Sequence, residues 1–485
     1  MNVRRYQKWA KSGLAILLAG AMMVGTAASG GGMTAQAAET ESSDTVSTQK
    51  AVTSDAASLL FTEKHITSDL TLPTIGASGT TISWKSSNPS VLSNEGKVTR
   101  PKKGAADEEV TLKGTVKMGD YAKARNFTFV VLAESEMGPT KEFALDQVEL
   151  LDDYYLTAQN SDIEFLKKFD NDRLLSRFRE TAGLDTKKIA PYGGWEDGWL
   201  GGHSVGHYLT AIAQAVKATG NADLKEKSKQ LIEGLAECQN KLGTGFIFGA
   251  KIETEGYVEK QFDILEGKTT GKTWVPWYNM HKMLTGLVDT YKYTGNKQAL
   301  EVAKKLGDWI YNRVSKWDAG TQGRVLGTEY GGMNDCLYEL YLCTRDSKHL
   351  EAAHKFDQPN LYKTVAKGGK NCLNGKHANT TIPKFLGALK RYVVLEQTGE
   401  LTKDDEAYLT NVEKFFDIAV TRHAYITGGV SVMEHFRKDN NQDGTRTQTN
   451  CESCCAHNML KMAKELYKVT GDKKYADYYE TTLRN

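Results

Sequence analysis

The sequence lacks a dominant charge. Lys plus Arg number 62 against 60 Asp plus Glu, and a net charge of +2 offers no field to draw the chain to nucleic acid or an anionic membrane. A neutral partner molecule is the expectation. No cysteine precedes residue 238, and the seven present are an odd number, which excludes an evenly paired disulfide framework. Long apolar runs are missing after the first residues, so no span is expected in the mature chain. With 40% apolar and 25% charged residues, disorder is not the default either; the length suffices for two or three domains with real cores.

What is present begins with Arg4, Arg5, Lys8 and Lys11, the apolar run LAILLAGAMMVGTAA and the triplet Ala35-Gln36-Ala37. This is the pattern of a secretory signal peptide over residues 1–37, cleaved after Ala37, and it implies an exported protein. Gly20, Gly25 and Gly30 to Gly32 break the run short of the roughly 20 apolar residues a membrane span needs. Residues 38–58 are rich in Ser, Thr and Ala and read as a flexible linker. From 59 to 135, TTISWKSSNPSVLS, GKVTRP, EEVTLKGTVKM and ARNFTFVVLAE alternate at period two between turn residues. Such spacing predicts a small β-sandwich with a docking or spacer role. These motifs resemble the atypical immunoglobulin-like modules attached to bacterial extracellular glycosidases.

Beyond Pro139 a period of 3.6 takes over. Helical runs break and resume at Thr219-Gly220-Asn221, Thr294-Gly295-Asn296, Thr344-Arg345-Asp346, Thr398-Gly399-Glu400 and Thr470-Gly471-Asp472. A residue tolerant of left-handed backbone ends one helix and lets the chain double back. Five such hairpins can bury their faces only side by side. Variable spacing and polar inserts favour a closed α/α toroid over residues 140–485, a six-hairpin-like barrel, rather than an open superhelix. In a toroid the loops entering the inner helices line one cleft.

Chemistry-bearing clusters stand at those entrances: Tyr192-Gly193-Gly194-Trp195-Glu196 with Gly202-His203-Ser204-Val205-Gly206-His207; Trp277 to His281; Glu329 to Asn334; and His377 to Thr380. Aromatic faces with His and Asn donors suit a sugar ring, whose CH faces stack and whose hydroxyls hydrogen-bond. Trp195, His207, His281, Asn334 and His377 are therefore the sugar-binding candidates, although a histidine at a helix start also reads as a satisfied core residue. The segment from Tyr425 to Phe436 carries Glu434 on a glycine-bearing loop, free to act as a proton donor. Next comes Cys451-Glu452-Ser453-Cys454-Cys455. Glu452 and Cys454 do not share a helical face and can meet one ion only on irregular backbone; a carboxylate beside thiolates suits zinc. A structural thiol group is the alternative.

ALDQVELLDDYYLTAQNSD, DRLLSRFRETAGL, YGGWEDGWLGGHSVGHYLTA, VPWYNMHKMLTGLVDTY, EYGGMND, HANTTIPKFLGA, YITGGVSVMEHF and ESCCAHNMLKMAKELY resemble, in this order, the β-L-arabinofuranosidases of glycoside hydrolase families 127 and 146. The resemblance covers about residues 140–485. It implies a helical toroid in which zinc, held by three cysteines and a glutamate, activates one of the cysteines. That thiolate attacks a terminal β-L-arabinofuranose, a glutamic acid protonates the leaving oxygen, and configuration is retained. By motif, Glu434 matches the acid/base, Glu452 and Cys454 match two zinc ligands, and His207, His281 and His377 match sugar-contacting positions. The family's nucleophile belongs to a downstream Cys-Cys pair that nothing up to Asn485 matches, so it is expected beyond that residue. Departures are Cys451, His457 and Cys455; Cys455 either completes a local metal cluster or is a buried thiol. The expected function is that of a secreted retaining glycosidase acting on plant arabinosides. Alternatives are a non-catalytic carbohydrate-binding fragment, another sugar hydrolase on the same barrel, and a thiol-zinc peptide cyclase, which the export signal disfavours.

Overall fold

The computed structural model describes residues 43–61, 65–67, 69–102, 105–133, 140–250, 257–445 and 448–485. The expected signal peptide lies outside the described residues. The chain forms two compact units.

In the N-terminal unit the stretch expected to be a flexible linker is helix α1, Ser43–Ser58. It is poor in large apolar residues, but Val52, Ala56 and Leu59 fall at i, i+4 and i+7 and pack on Ile82 and Val116. Asp55 on the same helix is buried and accepts from Ser78 N–H at 3.0 Å and Thr80 Oγ1 at 2.8 Å. Strands β1 (His65–Ile66), β2 (Thr81–Ser86), β3 (Glu108–Met118) and β4 (Tyr121–Val131) form one sheet in the order β1-β4-β3-β2, of which β1, the first residues of β3 and the last of β4 are counted with the second unit. Strand β1 runs parallel to β4, and β2 antiparallel to β3. Val110, Leu112 and Val116 of β3 point inward at period two. Gly114 takes the remaining inward place because it faces Trp84, whose ring would lie 2.7 Å from a Cβ there. Among the described residues the layer that packs on this sheet is α1, where the sequence predicts a second sheet.

The second unit is helical: α2 (Asp153–Lys167), α3 (Asn171–Ala182), α4 (His203–Thr219), α5 (Ala222–Leu242), α6 (Lys260–Leu265), α7 (Pro276–Thr294), α8 (Lys297–Val314), α9 (Ala319–Leu326), α10 (Met333–Thr344), α11 (Ser347–His354), α12 (Pro359–Ala366), α13 (Ala378–Thr398), α14 (Glu406–His423), α15 (Ser453–Thr470) and α16 (Lys473–Arg484). Helices α4, α7, α10, α13 and α15 pack each on the next as an inner layer, with α5, α8, α11, α14 and α16 behind them. This is the mainly helical α/α architecture expected from the hairpin punctuation. Helices α2 and α3, which that punctuation does not mark, lie against α4 and α5.

The breaks fold as read. Gly220, Gly295, Gly399 and Gly471 end their helices at φ near +70°, and Arg345 does the same at +56°. At the first, second, third and fifth breaks an N-cap follows directly: Asn221, Asn296, Asp346 and Asp472 each accept a backbone N–H of the next helix.

Opposed to this apolar packing is a chain of ion pairs between inner helices. Glu339 on α10 takes the ammonium groups of Lys292 on α7 and Lys390 on α13, each at 2.6 Å. Lys390 also lies 3.7 Å from Glu465 on α15, and Lys461 on α15 lies 3.3 Å from Asp335 on α10. Burial would push the Glu339 and Glu465 carboxyls up. The surrounding ammonium groups, Lys390 foremost, outweigh it and hold both down, Glu465 to about 2. A carboxylate with a depressed folded pKa contributes its stability above its unfolded pKa of about 4.3 and loses it as pH falls. Conformational stability should therefore decline between about pH 5 and pH 2. Glu339→Gln, which takes from Lys292 its carboxylate and from Lys390 the nearer of two, should cost about 1–3 kcal/mol in urea unfolding at pH 7 and flatten that acid limb.

Candidate functional site

Helices α4 and α7 touch backbone to backbone. A Cβ at Gly206 would lie 2.0 Å from the Lys282 carbonyl oxygen, and one at Gly286 would lie 2.6 Å from the Gly206 carbonyl oxygen. Only glycine permits this crossing. It sets His203 and His207, one turn apart on α4, against His281 and Lys282 on α7. The start of α4 is fixed by Glu196, a buried carboxylate that accepts from Gly202 N–H at 2.6 Å and Ser204 N–H at 3.1 Å. Glu196 thus serves the free N–H groups of a helix terminus, where negative charge is also favoured. Beside it Trp195 is 69% exposed.

Two of the histidines are held neutral. Crowding by the surrounding protein, then the charges of Lys282, His203, His457 and Lys461, lower His207 to about 3 although its ring still meets solvent. His457 and Lys461 belong to α15, so α4 and α15 sense each other across the inner layer. His281 is buried, and burial followed by Lys282 lowers it further. Its ring rests on Gly331, where φ is +60° and a Cβ would stand 2.1 Å from Nδ1. Tyr278, half-buried one turn before His281, is pushed up to about 12 by burial and by the neighbouring acids Glu329, Cys454 and Glu434. Its hydroxyl meets Asn379, whose Oδ1 accepts from Asn458 on α15 at 3.1 Å.

Glu434 sits at the tip of a two-residue hairpin. Val432 N–H donates to the His435 carbonyl at 2.9 Å, and the central residues Met433 and Glu434 have φ of +48° and +62°. Positive φ at both positions is the pattern of a type I′ turn, normally filled by Asn-Gly. Non-glycine residues there carry backbone strain, which persists only where the surroundings enforce it. They do so here. The Glu434 carbonyl accepts Ala378 N–H at 2.7 Å, and its N–H donates to Glu452 Oε1 at 2.8 Å. The other oxygen of Glu452 takes the Ser431 hydroxyl.

His377 is the N-cap of α13, its Nδ1 accepting Thr380 N–H at 3.1 Å. A neutral ring accepting at Nδ1 carries its proton on Nε2. That proton points to Glu434 Oε2, 3.3 Å away. Glu434 itself is exposed, with 61% of its side chain open.

The structure thus brings together His207, His281, His377, Glu434, Glu452 and Cys454. It separates Asn334, expected to touch sugar: this side chain is fully buried and donates to Asp357 Oδ1 at 3.0 Å and to the Tyr362 hydroxyl at 3.3 Å. A Cβ at Gly387 of α13 would lie 1.9 Å from its Oδ1. Asn334 ties α10 to its neighbours and does not face the cleft. Cys455, a candidate ligand, turns into the core with Phe415, Met459 and Tyr475. Its thiol donates a hydrogen bond to the Cys454 sulfur, which lowers Cys454 to about 7 and pushes Cys455 up. Tyr278 and Asn379 stand in clusters marked in the sequence but are not among the residues picked from them, and Lys282, Asn458 and Lys461 are not among the predicted site residues either. Cys454, Asn458 and Lys461 at i, i+4 and i+7 form a polar stripe on a helix whose other face is apolar, a signal present in the sequence.

All seven cysteines are free thiols. Glu452 and Cys454 have the donor chemistry of a zinc site but are two donors where zinc takes four. Among the described residues, the group of three metal-type donors gathered within 4.8 Å is Asp308, Asp346 and His349, on α8 and α11. The cleft's residues therefore do not make a complete zinc set.

A layer of inner helices whose N-terminal ends gather neutral histidines, a tyrosine and an exposed carboxylate defines an α/α-toroid protein with a polar, acid-bearing cleft. Residues 147–485 match the model of the β-L-arabinofuranosidase GH127 catalytic domain, and residues 41–134 match that of the atrophied bacterial Ig domain. The chain belongs to glycoside hydrolase family 127. Among solved structures it is similar to the GH127 β-arabinofuranosidase BT3674, at 18% identity and a TM-score of 0.51 over 72% of this chain and 54% of that one. A GH127 β-L-arabinofuranosidase from Geobacillus stearothermophilus is similar at 17% identity and a TM-score of 0.45, over 70% of this chain and 53% of that one. The chain spans about half the length of these relatives. No curated protein matches it.

The contrast between scaffold and cleft residues can be measured. Asn334→Ala, which leaves Asp357 and the Tyr362 hydroxyl short of a partner, should lower stability by about 2–4 kcal/mol in chemical unfolding. Trp195→Ala should change it by less than about 0.5 kcal/mol.

Proposed function

We propose that the protein is an exported glycosidase that removes terminal β-L-arabinofuranose from plant glycans or glycoproteins, with Glu434 as the acid/base. Family membership over residues 147–485 supports the reaction class. Export rests on the N-terminal sequence pattern. The observation that carries the role of Glu434 is its setting: an exposed carboxyl group on a strained hairpin, locked from behind by Glu452 and met from one side by His377. With Nε2–H of His377 donating to Oε2, Oε1 is left to carry the proton toward a glycosidic oxygen. His207, Tyr278 and Asn379 line the approach and offer donors and acceptors to sugar hydroxyls, with His281 buried behind them. Glu452 and Cys454 are proposed as two of the donors to a zinc ion; their carboxylate and lowered thiol have the right chemistry, and the remaining donors are not assigned. The nucleophile is likewise not assigned among the described residues, and no step is derived through the metal.

A second reading, sugar binding without turnover, is favoured by this incomplete donor set. Release of L-arabinose from aryl and alkyl β-L-arabinofuranosides by the full chain separates the two. In the glycosidase reading Glu434→Gln slows cleavage of the alkyl glycoside by about 10²–10⁴, because its leaving group needs a proton, and slows the nitrophenyl glycoside far less. Equal rates for wild type and Glu434→Gln on the alkyl glycoside would sink the assignment. Calorimetric binding of arabinose oligosaccharides with no release of sugar would select the binding reading.

A further inference from the structure

Away from the cleft, the outer helices α8 and α11 meet at a polar cluster for which the glycosidase reading has no use. His349 on α11 is 1% exposed. Its Nδ1 lies 2.8 Å from Thr344 Oγ1. The one hydroxyl hydrogen of Thr344 goes to the Leu340 carbonyl at 3.0 Å, so that oxygen can only accept from the ring. The proton of neutral His349 therefore sits on Nδ1, and Nε2 carries a bare lone pair.

Nε2 has no hydrogen-bond partner, and neither has the buried Asp308 Oδ1 on α8, 3.8 Å away. A lone pair aimed at a carboxylate oxygen is repulsive unless a cation lies between them. A shared proton does not serve, because 3.8 Å exceeds a hydrogen bond and burial disfavours the charged imidazole. The half-exposed Lys348 reaches Asp308 Oδ1 at 3.6 Å, but an ammonium there answers the carboxylate and not the ring nitrogen. The Lys304 carbonyl near the ring favours its charged form without forming a hydrogen bond to Nε2.

Two further features complete the arrangement. Asp346, N-cap of α11, uses Oδ1 on Lys348 N–H at 3.0 Å and keeps its second oxygen. One donor atom from each of Asp308, Asp346 and His349 lies within 4.8 Å of the others. Gly307, beside Asp308, interrupts α8 with a residue unfavourable inside helices, yet any Cβ there would meet His349 Nε2 at 2.6 Å. The missing side chain is what lets the imidazole lie against α8 and present Nε2 to the carboxylate.

We propose that Asp308, Asp346 and His349 bind a divalent transition-metal ion, zinc fitting an imidazole nitrogen with two carboxylates, and that the ion ties α11 to α8. Donors about 2.0–2.2 Å from a shared zinc ion stand roughly 3.4–3.8 Å apart as their angle opens from tetrahedral, which matches a separation too long for hydrogen bonding. With two carboxylates and one nitrogen, a water molecule completes the four-coordinate set. Asp308 is half-exposed and gives the ion a way in from solvent.

The test uses the full chain, stripped by chelator and titrated with zinc. Wild type should bind one equivalent more than Asp308→Asn. Asp346→Asn, which retains the helix cap, should bind that equivalent at least tenfold more weakly with an unchanged circular dichroism spectrum. Cys454→Ser should keep it, and cobalt in that variant should show visible d–d absorption without a thiolate charge-transfer band. At equal zinc, the melting temperature of wild type and of Cys454→Ser should rise more than that of either aspartate variant. Equal zinc stoichiometry and affinity in all four proteins would overturn the site, as would stabilisation by calcium but not zinc. Metal content reads the site whether or not the protein cleaves a sugar.

Discussion

The distance between α4 and α7 governs the cleft. Inner helices of an α/α layer approach only as closely as their side chains permit, commonly 8–10 Å between axes. Gly206 and Gly286 remove those side chains at one crossing, so each helix rests on the other's carbonyl oxygens. From that contact follow the neighbouring histidines of α4 and α7, the burial of His281, and the closeness of Lys282 that helps keep both His207 and His281 neutral. Gly331 extends the same logic to the loop before α10, where absence of a side chain gives the His281 ring its place. An alanine at any of these points would need the layer to open.

Bringing helices this close leaves the layer's middle to whichever side chains remain, and here many are charged. The pairing of Lys292, Glu339, Lys390 and Glu465 gives each charge an opposite neighbour on the next helix. Such pairs add little net stability compared with apolar packing, but removing one member is costly. They also set register: Glu339 can meet both lysines only when α7, α10 and α13 are correctly staggered, and the same stagger places Asn334 beside Gly387. The cleft inherits its geometry from this ladder.

Much of the architecture was legible because it is written in local code. Thr-Gly-Asn and Thr-Gly-Asp mark a left-handed residue followed by a cap, and both functions belong to single residues whatever the tertiary context. Helix α1 was not legible because its apolar residues are few, and only their spacing against a sheet elsewhere in the sequence makes it stable. The meeting of Glu434, Glu452 and His377 could be expected from the family resemblance, but spacing alone would not have shown that Glu452 grips the Glu434 backbone. Asn334 misled because it stands at a helix entrance like the histidines; its rotation inward depends on Gly387, over fifty positions later. The lone pair of His349 was invisible in sequence, since it follows from where one threonine hydrogen points.

The electrostatics of the cleft narrow its chemistry further. A group that donates a proton in the proposed reaction must hold one near neutral pH and give it up readily. His207, lowered to about 3, and His281, lower than usual through burial, have no acidic proton to give; the solvent-facing His207 can offer a hydroxyl only neutral-ring hydrogen bonds. Tyr278, raised to about 12, keeps its proton too tightly. Burial first, and then the ammonium groups of Lys282 and Lys461, hold the two imidazoles neutral, while burial and the nearby acids Glu329, Cys454 and Glu434 hold the Tyr278 proton. That leaves the carboxyl group of Glu434 for the role of proton donor in the proposed reaction. Glu434 reaches the cleft from a hairpin rather than from a helix end, and His377 occupies one of its oxygens and leaves the other free.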